Sequence, residues 1–458
     1  MDTEILARIQ FAFTICFHYI YPPLSIGLGV ILVLMEGTYL KTKNPLYERM
    51  TKFWVKVFAL TFALGVATGI VMEFEFGTNW STYSRFVGDV FGSALAAEGI
   101  FAFFLESGFL ALLVFGWDKV KPRTHFIATI MVSLGSMFSA VWIVVANSWQ
   151  QTPAGYHLVS YGKNVRAEIT DFWQLVFNPS SMERLMHVLS GAWLAGSFMV
   201  ISVSAFYILK KRHLDFAGAS LKIALVLALF ASYFQLFTGH RSAMVVSEYQ
   251  PEKLAAMEAH FDSLAPAPLH LFGWVNEDKQ EVKFGVAVPG LLSYLISGDK
   301  QHEVKGLNHF PENMTPPVNI VFQSYHLMVA IGMFLIFIST LGAFLWWRKK
   351  LFDHKWLLWI FVFSVLGPQI ANQVGWITAE VGRQPWIVYG LLKTSEALSK
   401  TVQAHQIVFS LILFSVIYLF LFILFIYLLN EKIQHGPEEP ETIASEYETQ
   451  KLLFDKKK

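Results

Sequence analysis

Nine stretches of this sequence run for about 20 residues or more with few charges: Phe11–Tyr39, Phe53–Phe76, Phe91–Trp117, Phe126–Trp149, Leu185–Leu209, Ala217–Phe237, Val318–Trp347, Trp356–Ala379 and Ala404–Leu429. A run of about 20 mostly apolar residues is what a helix needs to cross the hydrocarbon core of a bilayer. No water is available there for backbone N–H and C=O groups, so such runs cross as helices that satisfy their own backbone. The fold class expected is an all-α polytopic membrane protein with about nine transmembrane helices. Composition agrees: 15% of the 458 residues are charged and 54% apolar, against about 25% and about 45–50% in soluble domains. The net charge of +1 offers nothing to a nucleic acid. The one cysteine, Cys16, cannot form an intrachain disulfide. Without a CxxCH or paired CxxC signature, any cofactor has to be held by His, Met or carboxylate. The first run lacks a basic leader region and a small-residue cleavage site, and is expected to be retained as a helix.

Basic residues orient the bundle. Lys41, Lys43, Arg49, Lys52 and Lys56 flank the first connection, and Lys119, Lys121 and Arg123, then Lys210, Lys211 and Arg212, then Arg348, Lys349, Lys350 and Lys355 occupy alternate ones. The positive-inside rule then puts the N-terminus outside and the C-terminus in the cytoplasm. Four regions follow: helices one to six over 1–239, a long external loop over 240–317, helices seven to nine over 318–429, and a charged tail over 430–458 containing GPEEPE. The absence of an internal repeat argues against a transporter of inverted halves.

Ionisable groups at membrane depth are costly and mark function. His18 lies inside the first run, Glu98 and Glu106 inside the third, His187 at the start of the fifth, His326 and Met328 in the seventh, and Glu380 at the end of the eighth. His, Met and carboxylate are side chains that a haem iron accepts. The plain alternatives are an interfacial, hydrogen-bonded role for His187 or His125, packing for Met328, a structural role for His405, and interhelical hydrogen bonding for the two glutamates. On an ideal helix His326 and Met328 point about 200° apart, so they cannot share one iron. Gln369, Gln373, Trp376 and Glu380 form one polar stripe at helical period that has to face protein or a cofactor. Glu98 and Glu106 stand about 80° and roughly 12 Å apart, a spacing that suits successive stations of a proton path.

The stretches TFALGVATGIVMEFEFGTNW, AAEGIFAFFLESGFLALLVFGWD, VWIVVANSWQQTPAGY and WITAEVGRQPW resemble the signature stretches of cytochrome bd ubiquinol oxidase subunit I, and the likeness runs from the first helix to the ninth. The resemblance implies a low-spin haem b, a high-spin haem b, and a haem d or a third b-type haem. His187 and Met328 match the ligands of the low-spin haem, and His18 and Glu380 those of the two high-spin haems, with the assignment between them open. Glu98 and Glu106 match carboxylates of proton delivery at the oxygen site. Arg383, in GRQPW, matches a partner for haem propionates, and Trp376 a place in the electron path. QPEKLAAMEAHF resembles the quinol-binding segment in its short-loop form, with Lys253 and Glu258 at the implicated positions. Where the family pattern has Arg, this chain has His326, which removes a permanent charge and sets an imidazole beside Met328; helical geometry favours Met328 as the ligand.

The function implied is a terminal quinol oxidase subunit of a bacterial inner membrane. It would oxidise quinol outside and reduce O2 to water with cytoplasmic protons, building a proton motive force without pumping. The partners implied are a second membrane subunit (subunit II), small single-span subunits, quinol, O2 and the bilayer. The alternative is a haem b conduit that carries quinol electrons without reducing oxygen. A haem–copper oxidase is disfavoured, because no adjacent histidine pair is present.

Overall fold

The computed structural model describes residues 2–162 and 164–438. Among them are nine helical spans long and apolar enough to cross a membrane: Thr3–Thr42, Pro45–Thr78, Gly88–Phe115, Pro122–Gln151, Ser181–Leu209, Leu214–Tyr249, Val318–Trp347, Lys355–Val381 and Ala404–His435. They are called spans 1 to 9 below. Most run past the apolar stretches at one or both ends, because capping residues and not hydropathy set the ends. Asn44, for example, accepts the Leu46 N–H at 3.0 Å ahead of Pro45 at the start of span 2. Of the expected tail, 439–458 lie outside the described residues.

Three spans are not uniform α-helices, contrary to the ideal geometry assumed above. Span 1 is two helices, Thr3–His18 and Tyr21–Thr42. Pro22 has no N–H and its ring would strike the carbonyl four residues back, that of His18, so the first helix ends there. Side chains of span 8 reach carbonyls on the two sides of the break: Gln373 donates to Cys16 at 2.8 Å and Gln369 to Ile20 at 3.3 Å. Span 3 contains a π-helical segment, Glu98–Phe103, so the 80° separation expected for Glu98 and Glu106 does not hold. Span 8 breaks between Phe363 and Leu366, where Pro368 disfavours a bond to Ser364.

Span 5 is the most buried and span 9 the least. Spans 1 and 5 cross closely at Gly27 and Gly196, where an added Cβ would run into the opposing backbone; small residues allow such approach in a bilayer. The main core gathers Tyr21, Trp54, Phe58, Phe198, Phe216 and Phe361 from spans 1, 2, 5, 6 and 8.

Three antiparallel hairpins lie on the side of the N-terminus, by the alternation of the spans: β1–β2 after span 4 (Tyr156–Tyr161, Asn164–Ile169), β3–β4 after span 6 (Leu269–Asn276, Glu281–Val288) and β5–β6 after span 8 (Trp386–Val388, Leu392–Lys393). The long loop between spans 6 and 7 begins later than expected, since span 6 continues to Tyr249. It is built throughout, with a short helix Pro251–Met257 ahead of the β3–β4 hairpin.

Candidate functional site

A polar cluster closes the ends of spans 4, 5 and 8 beneath the long loop. Glu380 receives Asn147 Nδ2 at 3.0 Å and Gln151 Nε2 at 3.3 Å on one oxygen, and the Arg383 guanidinium at 2.5 Å on the other. Arg184 of span 5 donates to the Asn147 side-chain oxygen Oδ1 and lies 5.8 Å from the Trp376 ring. Lys253 enters from the loop helix and reaches Gln151 Oε1 at 3.0 Å and the Ala379 carbonyl at 2.9 Å. Its stem passes over Gly382, where a Cβ would lie 3.1 Å from it. Only 3% of Lys253 and 4% of Arg383 is exposed, so both cations are out of water. Burial, and next Arg184, hold the Lys253 ammonium well below the usual lysine range, with Glu380 acting in the other direction.

Lys253 and Glu258 do not share a cluster. The loop helix ends at Met257, so Glu258 leaves it on a different side. Glu258 is 1% exposed, with Oε2 unpartnered among the described residues and the Tyr325 hydroxyl of span 7 beside the carboxyl. Burial pushes this carboxyl up to about 8.

His18 and His187 sit in matching cradles. Nδ1 of His18 is 3.0 Å from Thr68 Oγ1, and Nδ1 of His187 is 3.1 Å from Thr238 Oγ1. Each threonine donates its own proton to a helix carbonyl, Leu64 at 2.8 Å and Gln235 at 3.2 Å, so each accepts from the histidine. The lone pair is thereby left on Nε2, the nitrogen an iron would use. The residue after each threonine is glycine. A Cβ on Gly69 would lie 3.2 Å from the His18 ring, and one on Gly239 3.4 Å from the His187 ring. Met328 Sδ abuts Gly375 of span 8, where a Cβ would come within 2.9 Å. The Gln235 amide nitrogen, its oxygen fixed by Ser190, meets His187 Nε2 at 3.0 Å.

These residues fit haem. Arg184, Arg383 and Lys253 face Glu380, with Glu252 the remaining carboxylate in reach, an excess of cation that buried charge tolerates only beside anions. Arg383 Nη1 and Arg184 Nε are enclosed and lack partners among the described residues, and propionates would supply them. Trp376 stands between Arg184 and Tyr19, whose ring meets it edge-on at 5.5 Å just beyond His18.

Along span 4 a ladder of hydroxyls meets three carboxylates, Glu36 and Glu106 buried and Glu98 half-buried. Thr129 donates to Glu36 at 2.5 Å, Ser136 to Glu106, and Ser139 to Glu98 at 2.5 Å. His125, at 1% exposure, is buried near the start of span 4, with its Nδ1 2.7 Å from Glu36. Sequence reasoning singled out Glu98 and Glu106 but missed Glu36, the hydroxyls and Glu75, which accepts from Thr14 at 2.6 Å. Arg184, Asn147 and Gln151 were missed as well. Their signal was there, as polar residues on spans 4 and 5 near the depth of Glu380. No group of three or more His, Cys, Asp or Glu able to hold a bare metal ion occurs among the described residues.

The family profile of cytochrome bd terminal oxidase subunit I matches residues 6–437. The chain belongs to this family. It is similar to cytochrome bd ubiquinol oxidase subunit 1 of Bacillus subtilis, at 41% identity over 96% of this chain and 95% of that one. It is also similar to cytochrome bd-II ubiquinol oxidase subunit 1 of Escherichia coli, at 34% identity over 98% and 99%. The solved bd oxidase from Geobacillus thermodenitrificans superposes with a TM-score of 0.88 at 31% identity, covering 95% of this chain and 99% of that one. The family gives the haem chemistry its setting, and the helical membrane fold agrees with that structure.

Proposed function

We propose that this chain is the haem-bearing catalytic subunit of a terminal quinol oxidase in a bacterial cytoplasmic membrane, working with a second membrane subunit. The names of its relatives, which carry a subunit number and ubiquinol, support the partner and the substrate class. His187 and Met328 would hold a low-spin haem b, and His18 and Glu380 two high-spin haems, one of them haem d or a third b-type. Haem in these places supplies one-electron transfer and an iron centre for oxygen.

The protein's own residues do the rest. Glu258, buried beside Tyr325, takes a proton from quinol once ionised and passes it to the outer side. Arg184, Arg383 and Lys253 supply positive charge to the haem carboxylates and orient them. Trp376 bridges the surroundings of His18 and Arg184. Glu36, Glu106 and Glu98, each held by a hydroxyl of span 4, carry protons from the cytoplasmic side. Thr129 and Ser139 are ten residues apart, about 15 Å along the helix. Release outside and uptake inside would build a proton motive force without pumping.

What favours the oxidase over the conduit is His18 and the Glu380 cluster taken together: His18 has the same threonine–glycine cradle as His187, and Glu380 stands at a third place, so ligands exist for more than the one or two haems of a conduit. The test is a reduced-minus-oxidised spectrum with haem extraction, alongside oxygen uptake on quinol. Three haems with a far-red chlorin band support a bd oxidase, and three b-type haems an oxidase without haem d. One or two haems favour the conduit, and none would overturn the reading.

A further inference from the structure

The β3–β4 hairpin exposes large apolar side chains: Leu271, Phe272, Trp274, Phe284 and Val286, with Phe284 91% exposed. In an aqueous loop such a patch would be unfavourable. What covers it follows from how the hairpin is fastened. Three residues at positions i, i+4 and i+7 of span 7 bind it. The Asn319 N–H donates to Glu277 Oε1 at 2.9 Å, Gln323 Nε2 donates to the Gly273 carbonyl at 2.8 Å, and His326 Nε2 meets the His270 carbonyl at 2.8 Å. The strand therefore descends beside the span, with its His270 end deepest and its turn outermost.

Depth can be read from the helix. Span 7 has 30 residues, about 45 Å at 1.5 Å per residue. Centred on a hydrocarbon core about 30 Å thick, it enters that core roughly 7 Å below Val318, close to Phe322. His326 lies about 12 Å below Val318, inside that boundary. The hairpin's polarity follows the same gradient: Glu277, Asp278, Lys279 and Gln280 form the outer turn, and Phe272 and Val286 pair nearer the deep end. On span 7 itself Ile320 and Leu327, each next in sequence to a residue that fastens the hairpin, are exposed apolar side chains as well. Two carbonyls on the strand nearest span 7 are met by Gln323 and His326, as backbone so close to lipid requires.

We infer that the β3–β4 hairpin is an interfacial membrane element, its apolar residues covered by acyl chains of the outer leaflet. This lays the roof of the Glu258 cluster at the lipid boundary, the phase in which a quinol travels. The His270 ring donates from Nδ1 to the Glu258 carbonyl at 2.9 Å, so the lipid-level strand and the Glu258 turn are one unit. His326 is then a fastening residue and no rival ligand: Nδ1 faces the Phe322 carbonyl at 2.8 Å and Nε2 that of His270, so neither nitrogen aims a lone pair at an iron.

The test uses the whole oxidase complex in nanodiscs, in a Cys16→Ala background, with a spin label at Phe284→Cys, Val286→Cys or, as the aqueous control, Gln280→Cys. Haem spectra first confirm that each variant is folded. The result expected is broadening by oxygen but not by a water-soluble nickel chelate at positions 284 and 286, and the reverse at 280. Equal exposure to the chelate at all three positions would overturn the inference in favour of water. Protection of 284 and 286 from both reagents would overturn it in favour of a protein partner. None of these outcomes depends on whether the loop binds quinol, which the variants' KM for quinol would report separately.

Discussion

Replacing Gly375 by alanine tests the assignment of Met328 without touching it. The new Cβ would lie 2.9 Å from Met328 Sδ, whereas comfortable contact begins at about 3.5 Å. The sulfur therefore has to move by roughly 0.6 Å, or helices 7 and 8 have to part. A free methionine side chain would swing aside at little cost, so the overpacking penalty of about 1–3 kcal/mol falls on a sulfur held at an iron, and lowers the ratio of sulfur-bound to sulfur-detached haem by roughly 5-fold to 150-fold. Gly332→Ala is the matched control, since it lies four residues along span 7 from Met328 and nothing stands within 4 Å of its Cβ. The assay is the reduced-minus-oxidised spectrum with and without carbon monoxide. Gly375→Ala is expected to turn part of the low-spin b signal into a high-spin, carbon monoxide-reactive one, and Gly332→Ala to leave it in place. Identical spectra for the two variants would refute Met328 as a ligand.

Three further outcomes are expected. Because burial raises the Glu258 carboxyl to about 8, it is neutral below that pH and a base above it, so kcat/KM for quinol climbs as pH rises through about 8. Glu258→Gln should flatten this limb, and an unchanged limb rules the residue out. Thr238→Val removes the acceptor of His187 Nδ1–H, and partners of this kind are worth about 10–100-fold in metal affinity. The low-spin haem should then be lost on dilution, with Thr238→Ser retaining it; equal retention in both variants would show that the hydroxyl does nothing. Ser136→Ala leaves Glu106 buried without its donor, at a cost of about 1–3 kcal/mol. Oxygen uptake should slow on the order of tenfold with the low-spin spectrum intact, and a full rate would remove Glu106 from the proton path.

The spans were legible because lipid imposes one rule on every residue of a crossing helix, and apolar runs obey it. Deviations inside them were less so. Pro22 and Pro23 lie in a run read as one continuous helix, and only the structure shows a break directly after His18, with Gln369 and Gln373 donating to carbonyls on its two sides. Nothing in AAEGIFAFF marks the π-helix that Glu98 begins. The Gln369–Glu380 stripe could be seen at helical period because it lies on one helix. Arg184, Asn147 and Gln151 complete the same cluster from two other spans, and no single-helix pattern ties them to it. Lys253 and Glu258 came as a pair by resemblance, and the four residues between them suffice to turn one toward Glu380 and the other toward Tyr325.

The divided first span also bears on biogenesis. Its Tyr21–Thr42 half packs against spans 2, 4 and 5, all made early. Its Thr3–His18 half completes its surroundings with span 9, through Gln10 to Ser410 at 3.0 Å and Phe17 stacked on Tyr418 at 4.2 Å. A ribosome delivers span 9 last, so the segment ending in His18, which already meets span 2 through Thr14 and His18, gains these contacts only once span 9 has been made. A chain truncated before Ala404 would keep most of its bundle and leave Gln10 and Phe17 without them.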